Sequence, residues 1–234
     1  MDTPKDLIGS ISGGRVLDVA TGNGNFVGFL LEGLESYDEI IGIDTSEKAA
    51  TSFAAAFKDK PGIRFVRMDA SRMDFPDASF DTVCISNSLH HMPDPGPVLA
   101  EMKRLLHPGG YFIILEMFRD GQAETQMTHV LLHHWWAAID RAQGVVHNET
   151  YTRQQVTDIV AGLGLRDVAI HDLSDTEDDP KDPGTIKQLE DIIDHSIQHP
   201  GSHPDLQQRG EELRRRVQEV GFHNAASVLV IGRK

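Results

Sequence analysis

The chain has 234 residues, 39% of them hydrophobic and 6% aromatic, with 22 basic against 36 acidic side chains and a net charge of −14 when histidine is neutral. A chain of this length reads as one domain, 1–234, which can bury a core without disulfides, and the single cysteine, Cys84, suits a reducing, cytoplasmic setting. The acidic balance opposes binding to phosphate backbones and anionic bilayers, no run of about 18 apolar residues is present, and the first residues lack a secretion-signal pattern, so neither nucleic acid nor membrane is an expected partner.

In chain order, the first half alternates short runs rich in Val, Ile and Phe with helical patterns. Strands are predicted at 15–20, 39–44, 63–68, 80–86 and 111–117, each apolar enough to be buried on both faces. Helices are predicted at 25–34, at 46–58 with Ser46 as cap, and at 97–106, stopping at His107-Pro108-Gly109-Gly110. This alternation builds a parallel sheet covered by helices. From 122 to 141 the residues Val130, Leu131, Trp135, Ala138 and Ile139 recur at helical spacing, and Trp135 and Trp136 read as anchors of that helix. A second helix opens at Thr152 with a capping box and ends near Gly162 and Gly164. A sixth strand is predicted at 165–171 and a seventh at 225–231. Between them lie an acidic loop, 172–182, and helices at 185–199 and 205–220.

The stretch Asp18-Val19-Ala20-Thr21-Gly22-Asn23-Gly24 runs a strand into a Gly-x-Gly turn and then a helix. The glycines let backbone approach a ligand, and the helix start presents free N–H groups. A dinucleotide fingerprint would have a third glycine at position 27, which is Val27, and would set pyrophosphate where Asp18 repels it. A NAD-dependent oxidoreductase is thereby disfavoured, and a ligand carrying positive charge is favoured. The second strand ends in Asp44-Thr45, where a carboxylate can accept both hydroxyls of a ribose; the third ends in Asp69-Ala70, where a carboxylate can accept from the exocyclic amine of adenine. At successive ends of parallel strands these side chains line one crevice, which suits a nucleoside.

With Leu17 to Gly24, Gly42-Ile43-Asp44, Asp69, the run Phe80 to His91 and the run Leu105 to Gly110 in this order and spacing, the chain resembles the class I S-adenosylmethionine-dependent methyltransferases, and among them the group that includes the quinone-biosynthesis C-methyltransferases. The resemblance implies an α/β, Rossmann-like fold with a doubly wound, seven-stranded, mostly parallel sheet ordered 3-2-1-4-5-7-6, the last strand antiparallel. It also implies S-adenosylmethionine as cofactor and methyl transfer to a small molecule. The implied cofactor contacts are Asp18, Ala20, Thr21, Gly22, Asn23, Gly24, Asp44, Thr45, Asp69, Ala70, Ser86 and Asn87, with Ser86 and Asn87 near the methionine end. Position 20, often Gly in the family, is Ala20 here. A protein that binds the cofactor without turning it over would keep the same motifs. A small-molecule substrate is the expected partner, and a homodimer is a candidate assembly.

Methyl transfer from a sulfonium asks mainly for in-line positioning, with a base where the acceptor carries a proton. The candidates are His90 and His91 after the fourth strand, Glu116 at the end of the fifth, and His129 and His133 one turn apart on the helix over 122–141. That helix is expected to lie above the crevice with His129 and His133 facing His90 and His91. The spacing of His129 and His133 also suits metal ligands, as does the four-residue repeat of His195, His199 and His203, interrupted by Pro200-Gly201. A sulfonium needs no Lewis acid and the lone cysteine offers no thiolate set, so no metal is expected, and the histidines are expected to titrate near 6.5. The lid over the substrate is expected from the helical segments 122–150 and 172–221.

Overall fold

The computed structural model describes residues 3–198 and 203–234. Seven strands, β1 (Arg15–Val19), β2 (Glu39–Asp44), β3 (Ile63–Arg67), β4 (Phe80–Ser86), β5 (Leu106–Met117), β6 (Arg166–Leu173) and β7 (Ser227–Arg233), form one sheet ordered β3-β2-β1-β4-β5-β7-β6. The first five run parallel, and β7 runs antiparallel to both β5 and β6. This is the expected doubly wound order. Its central strands are the continuous apolar runs that led to it: Val16, Leu17, Ile40, Ile41, Val83 and Cys84 are fully buried.

The helices are α1 (Pro4–Ile8), α2 (Asn25–Gly33), α3 (Glu47–Ala56), α4 (Gly96–Leu105), α5 (Glu124–Ala142), α6 (Arg153–Gly162), α7 (Pro183–Ile197) and α8 (Pro204–Glu219), with a 3₁₀ turn at Leu89–His91. Ser46 and Thr152 cap α3 and α6 as expected. Two elements depart from the sequence reading. Helix α1 was not anticipated; Thr3 and Asp6 cap it reciprocally, and Ile8 drives it onto α2. Strand β5 begins at Leu106, not 111, because Leu106 pairs with Phe80 before a register shift that the HPGG stretch absorbs, Gly109 taking φ +81°. The predicted end of α7 at His199, with Pro200 and Gly201, lies outside the described residues.

Apolar clusters cover both faces of the sheet. A separate one joins the inserted helices: Trp135 and Leu132 of α5 pack with Ile193 of α7 and Leu213 and Val217 of α8. Trp135 is wholly buried, its indole N–H donates to the Leu206 carbonyl at 2.7 Å, and a side chain at Gly210 would meet its ring at 2.6 Å. Trp135 therefore anchors α5 to α8. Among the described residues no helix is long and apolar enough to cross a membrane.

Candidate active site

The carboxyl ends of β1 to β4 open into a cavity of about 680 Å³. At the end of β1 the chain turns sharply, with Ala20 at φ 54°, Gly22 at 55° and Gly24 at 90°. Gly24 has no alternative, since a Cβ there would also meet the Phe57 ring at 2.3 Å. Ala20 sits in left-handed space that an L side chain adopts at a cost of roughly 1–2 kcal/mol, which accounts for the glycine common at this position. The turn is tied to β2: Thr21 N–H donates to the Ile43 carbonyl at 2.9 Å and Gly22 N–H to Asp44 Oδ2 at 3.0 Å.

Asp44 and Asp69 both line the cavity. Asp44 Oδ1 also accepts from Ser46 N–H at 2.9 Å, so each carboxylate oxygen holds one backbone donor and keeps a lone pair for another. Asp69 Oδ1 accepts from the Ser71 N–H and hydroxyl, both at 2.8 Å, bonds that hold its carboxyl below the usual range. Of the expected cofactor contacts, Ala20, Gly22, Asp44, Thr45, Asp69, Ala70 and Asn87 line this cavity, and Thr21, Asn23, Gly24 and Ser86 do not. Asp18 is placed differently from the sequence reading. It is 1% exposed, accepts from the Thr21 hydroxyl at 2.5 Å and neighbours Cys84 Sγ at 3.5 Å, so it braces the turn from beneath and does not line the cavity. Burial pushes its pKa up to about 7.

The other half of the cavity is built by the segment after β4. Asn87, at φ 43°, donates its N–H to the Leu115 carbonyl at 2.7 Å and accepts from Met117 N–H on Oδ1 at 2.8 Å. Glu116, on β5 and wholly buried, holds the next turn: its Oε2 accepts from Ser88 N–H at 3.2 Å and Leu89 N–H at 3.1 Å, and its Oε1 lies 2.5 Å from His90 Nδ1. This turn carries Ser88, His91 and Met92 to the cavity wall. Glu116 and His90 sit behind the wall and act through it.

His90 and His91 gather with His133 of α5 and with His147, from the 143–150 segment. Ring centroids lie 4.4 Å apart for His90 and His91, 4.8 Å for His90 and His133, 4.0 Å for His91 and His147, and 4.8 Å for His133 and His147. His129 does not join them; its Nδ1 accepts from Ala225 N–H at 2.9 Å and its ring packs on Phe222. His147 had no signal in the sequence, because nothing local announces that 143–150 folds back: Asn148 N–H donates to the His90 carbonyl at 2.8 Å and its Nδ2 to the Met92 carbonyl at 3.0 Å. Four of the histidines, His91, His129, His133 and His147, lie below the 6.5 expected from the sequence. Burial, and then repulsion among the rings, lowers His91 to about 3 and His133 to about 2; burial lowers His147 and takes His129 to about 4. Neither Trp135 nor Trp136 lines the cavity.

Residues 17–114 match the family described as "Methyltransferase domain". The chain is thus similar to this family over somewhat less than half its length. It is similar to a protein of Staphylococcus saprophyticus named demethylmenaquinone methyltransferase, 35% identical over 105 residues, 45% of either chain. A protein of the same name from Renibacterium salmoninarum is 29% identical over 185 residues, 72% of this chain and 73% of that one. The match thus spans about half the length of the first of these relatives. Among solved structures, the [4+2]-cyclase SpnF superposes with a TM-score of 0.64 at 19% identity, over 96% of this chain and 76% of that one. The phosphoethanolamine N-methyltransferase 2 of Haemonchus contortus, in complex with S-adenosyl-L-methionine, gives 0.58 at 16% identity, over 95% and 49%. These two likenesses show the fold alone.

Proposed function

We propose that the protein transfers the methyl group of S-adenosylmethionine to a small molecule bearing a polar group. The observation that carries this reading is the placement of two carboxylates, Asp44 and Asp69, at the ends of adjacent strands on one cavity whose third side is the Ala20–Gly24 turn. The lone pairs left on Asp44 match a ribose diol, and Asp69 Oδ2 is left for an exocyclic amine once Ser71 occupies Oδ1. A cavity of about 680 Å³ is the size of a nucleoside with an amino-acid tail plus part of an acceptor. The names of the two curated relatives and the S-adenosyl-L-methionine complex of the structural neighbour support the same cofactor.

S-adenosylmethionine supplies an activated methyl: the sulfur keeps the S–C electron pair, the acceptor's lone pair forms the new bond, and any acceptor proton leaves to solvent or a base. The chain's part is orientation. Asn87 and Ser88, held by Glu116 and by Met117 N–H, fix the wall beyond the nucleoside end. His91, the one histidine on that wall, is uncharged at neutral pH and offers a hydrogen bond to the acceptor's polar group. Glu116 and His90 position His91, while His129 and His133 lie off the wall. The single thiol and the charge of −14 fit a reducing, cytoplasmic setting and an acceptor other than nucleic acid.

Calorimetry tests the cofactor: S-adenosylmethionine is expected to bind and NAD to give no heat above background, and NAD binding the more tightly would overturn the reading. Release of S-adenosylhomocysteine with small hydroxy, amino and thiol compounds tests turnover. Because a cyclase shares this fold, binding without turnover across such acceptors would favour a non-catalytic cofactor-binding protein.

A further inference from the structure

The four imidazoles beside the cavity present a larger donor set than one hydrogen bond from His91 to an acceptor requires. They come from three separate segments: His90 and His91 from the 3₁₀ turn after β4, His133 from α5 and His147 from the returning 143–150 segment. One nitrogen from each lies within 4.8 Å of the others. His90 is wholly buried and His147 is 5% exposed. The Nδ1 atoms of both rings are engaged by carboxylates, His90 with Glu116 at 2.5 Å and His147 with Asp140 at 2.7 Å. A carboxylate accepts, so Nδ1 carries the proton in each ring and the lone pair stands on Nε2. These two Nε2 atoms, and Nδ1 of His133, are buried without a hydrogen-bond partner. A buried acceptor left unpaired is unfavourable. Three of them in one cluster, two backed by carboxylates that fix ring and tautomer, match how proteins prepare imidazole for a metal ion.

From this geometry we infer that His90, His91, His133 and His147 bind one divalent ion of the zinc class, with Glu116 and Asp140 as its supporting carboxylates. Four nitrogen donors select ions that prefer imidazole, such as Zn²⁺, Co²⁺ and Ni²⁺, over Mg²⁺ and Ca²⁺, which take oxygen. A tetrahedral shell with bonds of about 2.0–2.1 Å sets nitrogens roughly 3.4 Å apart, so loading draws the rings inward by about 1 Å. Burial favours the uncharged form of His91, His133 and His147, the form that ligates a metal. Because His91 also lines the cavity, the ion sits at the wall where an acceptor would lie. The sequence argued against a metal because transfer from a sulfonium needs none; the four rings form a donor set whatever the cavity beside them binds.

The test is direct metal binding. The chain, stripped with chelator, is titrated with Zn²⁺ in competition with a chromophoric chelator, and separately with Co²⁺ while visible absorption is followed. One equivalent of each is expected to bind, Co²⁺ with the intense bands of a tetrahedral site, and Mg²⁺ or Ca²⁺ is expected not to compete. His133→Gln and His147→Gln are each expected to weaken Zn²⁺ at least 10-fold, and Asp140→Asn 10- to 100-fold. His107→Gln, at the opposite end of β5 from Glu116, is expected to leave the affinity unchanged. Far-ultraviolet circular dichroism and S-adenosylmethionine affinity within a few-fold of wild type confirm that the variants fold and separate this result from the cofactor reading. Failure to bind one equivalent, or equal Zn²⁺ affinity in wild type and both histidine variants, would overturn the assignment.

Discussion

Glu116 holds the site wall, and its removal has a calculable consequence. One carboxylate accepts from two backbone donors, Ser88 N–H and Leu89 N–H, and from the His90 ring, with all groups wholly or nearly wholly buried. Glu116→Ala strands three buried donors, each worth about 1–3 kcal/mol when left unpaired. Some relief comes from water entering the space vacated, so the expected loss is about 3–6 kcal/mol, a large share of the roughly 5–15 kcal/mol typical of a domain. Glu116→Gln keeps one oxygen for the backbone donors and turns an amide toward His90 Nδ1, which can accept once the ring proton moves to Nε2; the expected loss is about 1–2 kcal/mol. Urea unfolding of both variants by circular dichroism, at unchanged m, measures this order. The same turn carries Ser88 and His91 to the cavity, so cofactor affinity is expected to fall with stability. An alanine variant within about 1 kcal/mol of wild type would refute the claim that Glu116 holds the turn.

Three further substitutions probe the other half of the cavity. Asp18 has a folded pKa of about 7 against 3.8 for the free group, so the unfolded chain gives up its proton first and stability falls as pH rises between those values; Asp18→Asn removes that slope, and its stability relative to wild type is expected to grow by about 4 kcal/mol from pH 4 to pH 8, whereas a pH-independent difference would refute it. Asp44→Ala removes the acceptor for Gly22 and Ser46 as well as for a ribose, and calorimetry is expected to show S-adenosylmethionine binding weaker by about 1.5–3 kcal/mol, roughly 10- to 100-fold. Ala20→Gly relieves left-handed strain of about 1–2 kcal/mol against a backbone-entropy loss of about 0.5–1, so thermal unfolding is expected to shift upward by the equivalent of about 0.5–1 kcal/mol.

The sheet was legible because its central strands are buried on both faces and read as continuous apolar runs with turn residues between them. Where local pattern and tertiary pairing disagree, the reading slipped. Gly109-Gly110 looks like a helix stop, yet Leu106 already pairs with Phe80. Helix α1 is five residues long, too short for periodicity to show. That Asp44, Thr45, Asp69 and Ala70 line the cavity was legible for the same reason as the strands, since each sits within three residues of a strand end. Asp18 does not line the cavity because it stands inside β1 between buried Leu17 and Val19, in register with Cys84 and packed within the sheet.

The histidine side follows a different rule. Positions 129 and 133 share a helix face, but a face is about 100° wide and a cluster is a matter of ångströms; His133 reaches the other rings while His129 is taken by the Ala225 amide. The fourth ring, His147, arrives through Asn148, whose backbone and side chain fasten the 143–150 segment to His90 and Met92. That segment is itself gripped by α5, where Asp140 holds His147 and His134 Nε2 lies 2.9 Å from the Thr150 hydroxyl. The two halves of the cavity therefore rest on separate supports, the cofactor half on the β1–β3 strand ends and the acceptor half on α5, Glu116 and the 143–150 segment. On the proposed function, changes confined to α5 and 143–150 would be free to alter the acceptor while Asp44 and Asp69 stay in place, which is why the motifs that suggest this fold say so little about an acceptor.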